Sequence, residues 1–533
     1  MNGYIIALIV FLAWLALIYV LNKMKWLERH DMNLYGPMIM WRTKRGRGFI
    51  DKLASAKRFW GIFGKLSLWI CAASMTIIML LLLWEATIVP QIESPPSPEL
   101  ILGIPGINPI IPVGYGILGL AIAIIVHEFS HGIMSRVGGL RLKSLGLLFF
   151  VFPMGAFAEP DDQDMQQTTR SKRSKVFAAG PTSNIILAIV VLSFFSGAMM
   201  SNLEPARDGA LALGVVQDSP AQRCGIVPSS VIVSVDDQVI SSSADFTDRH
   251  SPNPGALVTV EYYFAGELKV SSNVTDGIVV AYVTAGFAAD NAGLEPGMVF
   301  VSVNDTVVGN LTELTNAMRE THAGVQVNLT VMSYDSASGG YVVNDTVTKI
   351  TPSDKWEYYT KYYQDENDPA YHGVGFLGAG FYNLGIRAED VSYYSDVMAN
   401  PFRGDRDLTD FSNSWLRLIA LPFLDLAPVR SPVTDLYHPS GALGWMPDSA
   451  FWIIANSLYW IFWLNLMIGL TNVMPAVPLD GGYMFRDLID WLLSKTGKTY
   501  SKEQKERVVS SVTLGLALFV LALILWQLVG PAF

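Results

Sequence analysis

Apolar residues gather in six long runs, at 4–21, 66–89, 112–136, 178–200, 450–470 and 508–529. Each is close to the roughly 20 residues that a helix needs to cross a bilayer, so the pattern predicts a polytopic α-helical membrane protein of about six spans. The first run starts almost at Met1 without a basic leading region and ends in a basic stretch without a small-residue cleavage pattern. It therefore reads as a retained anchor. The loop from Asn22 to Lys65 holds eleven Lys or Arg residues, whereas 90–111 holds none. Basic loops stay on the cytoplasmic side, which predicts an outer N-terminus, outer 90–111 and 201–449, inner 136–175 and 471–507, and an outer C-terminus.

Between Ser201 and Asp448 stand 31 Asp or Glu against 13 Lys or Arg, so the acidity of the chain is concentrated in the segment expected outside. Five N-x-S/T triplets, at Asn273, Asn304, Asn310, Asn328 and Asn344, are possible glycan acceptors there. The segment also matches itself at an offset of 68 residues: "SPAQRCGIVPSSVIVSVDDQVI" from Ser219 aligns with "FAADNAGLEPGMVFVSVNDTVV" from Phe287. Each copy reads as a short helix, a Gly stop, a Pro turn and an alternating strand leading into an Asp-containing turn. This resembles the PDZ domain of exported proteases, with Met298 where that family usually carries Asp and with Pro228-Ser229-Ser230 departing further in the first copy. The resemblance implies two PDZ-like α+β domains, at about 209–275 and 276–350, that recognise polypeptide by strand addition. An anonymous α+β repeat is the alternative. Residues 351–449 suggest no role, although "WLRLIALPFLDLAP" from Trp415, too short to span, is expected to lie on the membrane or pack on the helices.

Composition narrows the chemistry. Apolar residues make up 51% and charged residues 16% of the 533, against about 25% charged in a soluble globule. The net charge of −10 argues against nucleic acid as a partner. Two cysteines, Cys71 and Cys224, cannot build a disulfide framework or a thiolate zinc cluster. Metal chemistry must then come from His and carboxylates.

The third run ends in His127-Glu128-Phe129-Ser130-His131, the H-E-x-x-H pattern. On a helix, positions i and i+4 share a face, so both imidazoles can hold one Zn²⁺ while Glu128 stands beside them to take a proton from water. Ionisable groups at the end of an apolar span are costly and read as functional, with a polar cluster satisfied by neighbouring helices as the alternative. Catalytic zinc takes a third protein ligand. Glu159, Asp161, Asp162 and Asp164 read as a solvated loop, and the remaining histidines, 30, 250, 322, 372 and 438, lie in loops. Asp480 in "NVMPAVPLDGG" follows an apolar run, sits among helix-breaking Pro475, Pro478, Gly481 and Gly482, and is expected at the depth of His131.

Three motifs together, H-E-F-S-H at 127–131, "AGPTSN" at 179–184 and "NVMPAVPLDGG" at 472–482, resemble the site-2 protease family of intramembrane zinc metalloproteases. The resemblance implies that His127, His131 and Asp480 bind zinc, that Glu128 is the general base, and that Asn472 helps polarise the scissile carbonyl. It implies close helix approach at Gly180, Pro181 and Asn184, which would otherwise read as the small-residue start of a span. It also implies a membrane-dipping β-hairpin over 141–158, a re-entrant segment by its length and its Pro153 and Gly155; a buried helix over 145–152 is the alternative. The expected organisation is N-terminal spans and a basic loop (1–111), a catalytic core (112–200), tandem PDZ-like domains (201–350), an outer region (351–449) and a core with the final span (450–533). The expected activity is hydrolysis of peptide bonds in or near transmembrane segments of membrane-protein substrates, inside the lipid bilayer of the cell membrane, with the zinc site near its cytoplasmic side. A catalytically silent PDZ-bearing scaffold, or a metal transporter, is the rival reading. The intact Glu128 argues against the first, and the lack of ionisable residues spread along several spans argues against the second.

Overall fold

A computed structural model describes residues 3–30, 32–43, 46–91, 96–101, 103–150, 152–363, 368–401, 415–496 and 500–532. Lys44, Arg45 and Lys498 of the basic loops lie outside them. The chain folds into two units, one of Met1–Met199, Phe402–Pro428 and Ile453–Phe533, the other of Met200–Pro401 and Val429–Trp452.

Five helices in the described residues are long and apolar enough to cross a membrane: Lys57–Gln91, Val113–Val137, Arg170–Asn202, Asp448–Asn472 and Lys502–Val529. They fall on five of the six expected spans. Helix Gly3–Lys23 falls on the sixth. Burial divides the five. Half or more of the apolar stretch is buried in Val113–Val137, Arg170–Asn202 and Asp448–Asn472, against 17% in the other two. The first three therefore form the core, while Trp69, Leu80, Trp84, Leu514, Leu518 and Phe519 point outward from the peripheral pair. Such an apolar exterior suits lipid. Close approach within the core depends on missing side chains: a Cβ at Gly119 would stand 2.7 Å from the Trp460 carbonyl oxygen. The apolar patch after Trp415 packs on Asp448–Asn472, where Tyr459 Oη donates to the Leu418 carbonyl (2.8 Å) and Trp463 Nε1 to that of Ile419 (3.0 Å).

Residues 142–150 and 152–160 are paired antiparallel strands, which disposes of the buried-helix alternative. The sheet has four strands in the order β1 (Met32–Tyr35), β2 (Met38–Thr43), β3 (Leu142–Phe150) and β4 (Phe152–Pro160), all antiparallel. The first two come from the basic loop and were not expected. β4 is an edge strand and lies along helix Val113–Val137, with Ala158 packed among Ile50, Ile133 and Leu145.

In the other unit the 68-residue repeat is structural. Helix Pro220–Arg223 and strand Val231–Val235 recur as Ala288–Asn291 and Val299–Val303. Positive φ at Gly225, Ser229 and Asp236 (85°, 68° and 50°) recurs at Gly293, Gly297 and Asn304 (77°, 92° and 47°). Ser229 thus makes the same left-handed turn that Gly297 makes, despite its Cβ. One sheet runs Glu267–Thr275, Leu257–Phe264, Val231–Val235, Ala210–Val215, Ile386–Asp390; the other runs Gly340–Val343, Val327–Asp335, Val299–Val303, Ile278–Val283, Ala379–Asn383. The last strand of each comes from the region that suggested no role. Chain 379–390 turns at Leu384 and Gly385, both at positive φ, and gives one strand to each sheet. The repeats are fastened by the buried ion pair Arg249–Asp276 and by Asn383 Nδ2, which donates to the carbonyls of Phe246 (2.8 Å) and Thr247 (2.9 Å).

Candidate metal centre

Helix Val113–Val137 is apolar for most of its length and carries His127 and His131 one turn apart, both buried. Their rings meet edge to face with centroids 4.6 Å apart. Asp480 comes from 353 residues further along the chain and reaches both: its Oδ2 lies 3.0 Å from His127 Nε2 and 3.2 Å from His131 Nε2. One carboxylate oxygen and two imidazole nitrogens thus converge within 4.8 Å of one another. Tetrahedral zinc with bonds of about 2.0–2.2 Å holds its ligand atoms about 3.3 Å apart, so the donor set and its spacing fit the ion.

Local sequence explains how Asp480 arrives there. Helix Asp448–Asn472 stops, the chain turns through Pro475 and Pro478, and a new helix, Asp480–Lys495, starts on Asp480 itself. An acidic residue in a first turn suits the positive end of a helix. Side chains at Gly481 and Gly482 would run into the backbone of Val473, Met474, Ala476 and Val477, so only glycine lets the second helix fold back this tightly. Asp487 receives the guanidinium of Arg173 and the Ser174 hydroxyl (3.1 Å), and Asp490 pairs with Arg170 and Lys505, which holds Asp480–Lys495 against its neighbours. Arg173, Asp487, Asp490 and Lys505 border a cavity of about 730 Å³ that also takes in Phe177 and Tyr483, stacked at 4.9 Å.

Helix Arg170–Phe194 covers the imidazoles. His131 Nδ1 lies 2.7 Å from the Val176 carbonyl oxygen, which fixes its ring with Nε2 toward Asp480. Ser130 Oγ donates to Ser183 Oγ at 2.6 Å. Gly180 faces the imidazole nitrogens directly: a Cβ there would lie 2.5 Å from His131 Nε2 and 2.7 Å from His127 Nε2. The sequence offered Gly180 only as a point of helix approach; its place over the ligands was not legible.

Glu128 is not part of the converging set. Its Oε2 accepts the Ala158 amide of β4 at 3.0 Å, so the edge strand holds the carboxylate beside the centre. Asn472 ends its helix and gives one amide N–H to the Ile468 carbonyl at 3.0 Å. The acidic run after the hairpin stays apart from the site. Asp161 caps helix Asp162–Gln167, Ser144 donates to Glu159, and Arg141 grips Asp164 with two bonds of 2.9 and 3.0 Å. That guanidinium pushes the Asp164 carboxyl down to about 2.

His127, His131 and Asp480, with Glu128 beside them in a unit of long apolar helices, make up the kind of donor set that metallohydrolases use. A model of peptidase family M50 matches residues 115–520, and the chain belongs to that family, the site-2 type of zinc metalloprotease. Zinc metalloprotease Rip1 of Mycobacterium tuberculosis is 22% identical over 408 residues, covering 69% of this chain and 82% of the relative. An uncharacterized protein of Methanocaldococcus jannaschii is 30% identical over 201 residues, covering 36% of this chain. The chain spans about half, 51%, of that relative's length.

Proposed function

We propose that this chain hydrolyses peptide bonds in or near the transmembrane segments of membrane proteins, with His127, His131 and Asp480 holding zinc and Glu128 as general base. The convergence of three ligand atoms from residues so distant in sequence, with Glu128 adjacent, carries the reading. Bound zinc would supply the Lewis acid that activates a water and polarises the scissile carbonyl. The rest falls to the chain. Glu128, held by the Ala158 amide, takes the proton and returns it to the leaving amine. Asn472 keeps a second amide N–H with which to meet the carbonyl oxygen. A helical substrate has its carbonyls already bonded, so it must be drawn out before attack, and the edge strand β4 beside Glu128 offers a template for the extended form.

The finer organisation belongs to the same proposal. Gly3–Lys23 serves as a sixth span, and the hairpin of β3 and β4 dips into the bilayer. The two repeats are PDZ-like modules on the outer side, with both termini outside and the zinc site near the cytoplasmic leaflet. The basic loops support this orientation. A silent scaffold or a transporter has no use for a complete ligand set with an adjacent carboxylate. Purified protein should contain one zinc and cut a generic transmembrane substrate, and Glu128→Gln should keep the metal and lose the cleavage. A zinc-loaded wild type that leaves every such substrate whole would speak for the scaffold.

A further inference from the structure

Each imidazole of the centre meets a second group through Nδ1, and both partners come from helix Arg170–Phe194. For His131 the partner is a backbone oxygen, which can only accept. For His127 it is the side chain of Asn184, whose amide nitrogen stands 3.4 Å from Nδ1. Asn184 is 0% exposed, and its Oδ1 has no hydrogen-bond partner among the described residues. A buried, unpaired amide oxygen costs about 1–3 kcal/mol, so it calls for an explanation.

Ligation supplies one. A histidine that gives Nε2 to a metal carries its proton on Nδ1, and Nδ1–H then needs an acceptor. An amide nitrogen cannot accept, and donor would face donor. Turned end for end, the Asn184 amide fills the same space and brings Oδ1 onto Nδ1–H, exchanging a donor–donor clash at the imidazole for a bond while Nδ2 takes the place Oδ1 leaves. We propose that Asn184 is a positioning residue for the metal centre: it presents Oδ1 to His127 Nδ1–H and thereby holds the ring in the tautomer and orientation that offer Nε2 to zinc. The proposal rests on the ligand assignment above. It gives the Asn of "AGPTSN" a part in metal binding that close helix packing does not explain, because packing needs its volume and not its oxygen.

Two substitutions that keep the branch at Cγ separate these roles. Asn184→Leu keeps the branched outline with somewhat bulkier ends and removes the acceptor; Asn184→Asp keeps an oxygen at the same size and joins the carboxylate–histidine–zinc pattern. Zinc affinity of the purified full-length chain, measured by competition with a chromophoric chelator, should fall about 10–100-fold in Asn184→Leu and stay close to wild type in Asn184→Asp. Wild-type affinity in Asn184→Leu, or an equal loss in both variants, overturns the proposal. His127→Ala is the reference: if it too binds zinc as wild type does, the ligand assignment itself is wrong. Should Asn184→Leu fail to fold, histidine-selective ¹⁵N NMR of the zinc-loaded wild type decides. A protonated, hydrogen-bonded Nδ1 on His127 upholds the role, and an Nδ1 without a bonded proton overturns it.

Discussion

Replacing Gly180 by alanine adds one methyl group at a point where the structure leaves no room for it. The new Cβ would stand 2.5 Å from His131 Nε2 and 2.7 Å from His127 Nε2. Ordinary contacts of this kind begin near 3.5 Å, so the methyl intrudes by about 0.8–1 Å on each nitrogen. Relief must come from turning both imidazoles or shifting the helix, and metal sites tolerate only about 0.2 Å in ligand distance. The fold can absorb the change: overpacking costs about 1–3 kcal/mol, and alanine regains up to about 1 kcal/mol of helix propensity over a mid-helix glycine. Zinc affinity cannot, and a loss of at least ~100-fold is expected, about 2.7 kcal/mol. Chelator competition on purified Gly180→Ala reads the affinity. Thermal unfolding with and without zinc checks the fold, since the wild-type midpoint should rise with added zinc and that of the variant should not. A Gly180→Ala protein that holds one zinc per chain with wild-type affinity would refute both the placement of Gly180 and the ligand set it covers.

Glu128→Gln should lower cleavage by about 10²–10⁴-fold while zinc content measured by mass spectrometry stays at wild type; residual turnover above about 1% would count against a general base. Asp480→Ala should lose zinc together with activity, and zinc retained at full occupancy would move the third ligand elsewhere. For topology, a cysteine at exposed Lys495 should resist an impermeant thiol reagent until the membrane is opened, whereas Cys224 should react from outside. Burial raises the Cys224 thiol, so its labelling should quicken toward alkaline pH. An isolated fragment 209–350 should fail to give a cooperative unfolding transition and 200–401 should give one, because only the longer piece holds the strands of 379–390.

What could be read in advance follows from where each signal lies. The five core and peripheral helices, His127, His131 and Glu128 are written in local runs and spacings, and Asp480 in the helix-breaking residues around it. The repeat was legible because both copies keep the Gly stop, the Pro of the turn and the alternating Val positions, although Ser229 stands where the second copy has Gly297. Strands β1 and β2 were not, since "MNLY" and "MIMWRT" are short, lie in a basic loop and join the sheet only where β2 pairs with β3, about a hundred residues away. The two strands of 379–390 carry too little alternation to announce a partner, and their pairing is set by distant sheets. Gly180 and Asn184 were visible as small and polar residues in a motif; that one faces the ligand nitrogens and the other His127 Nδ1 depends on how helix Arg170–Phe194 is rotated, which periodicity alone does not fix.

The divided hairpin at 379–390 has a consequence for the order in which the chain acquires its shape. Ala210–Val215 waits for Ile386–Asp390, roughly 170 residues later, and Ile278–Val283 waits for Ala379–Asn383, roughly 100 residues later. In entropy the longer closure costs only about 0.5 kcal/mol more than the shorter. In time it matters more, because non-local pairings are slow to form. The second sheet cannot close its edge until residue 383 has emerged, nor the first until residue 390, and a single turn joins the two strands that complete them. The two repeats, copies of one pattern, are thereby committed to maturing as one cooperative body, and a nick anywhere between 351 and 378 would leave the edges of both dependent on a strand no longer tethered to them.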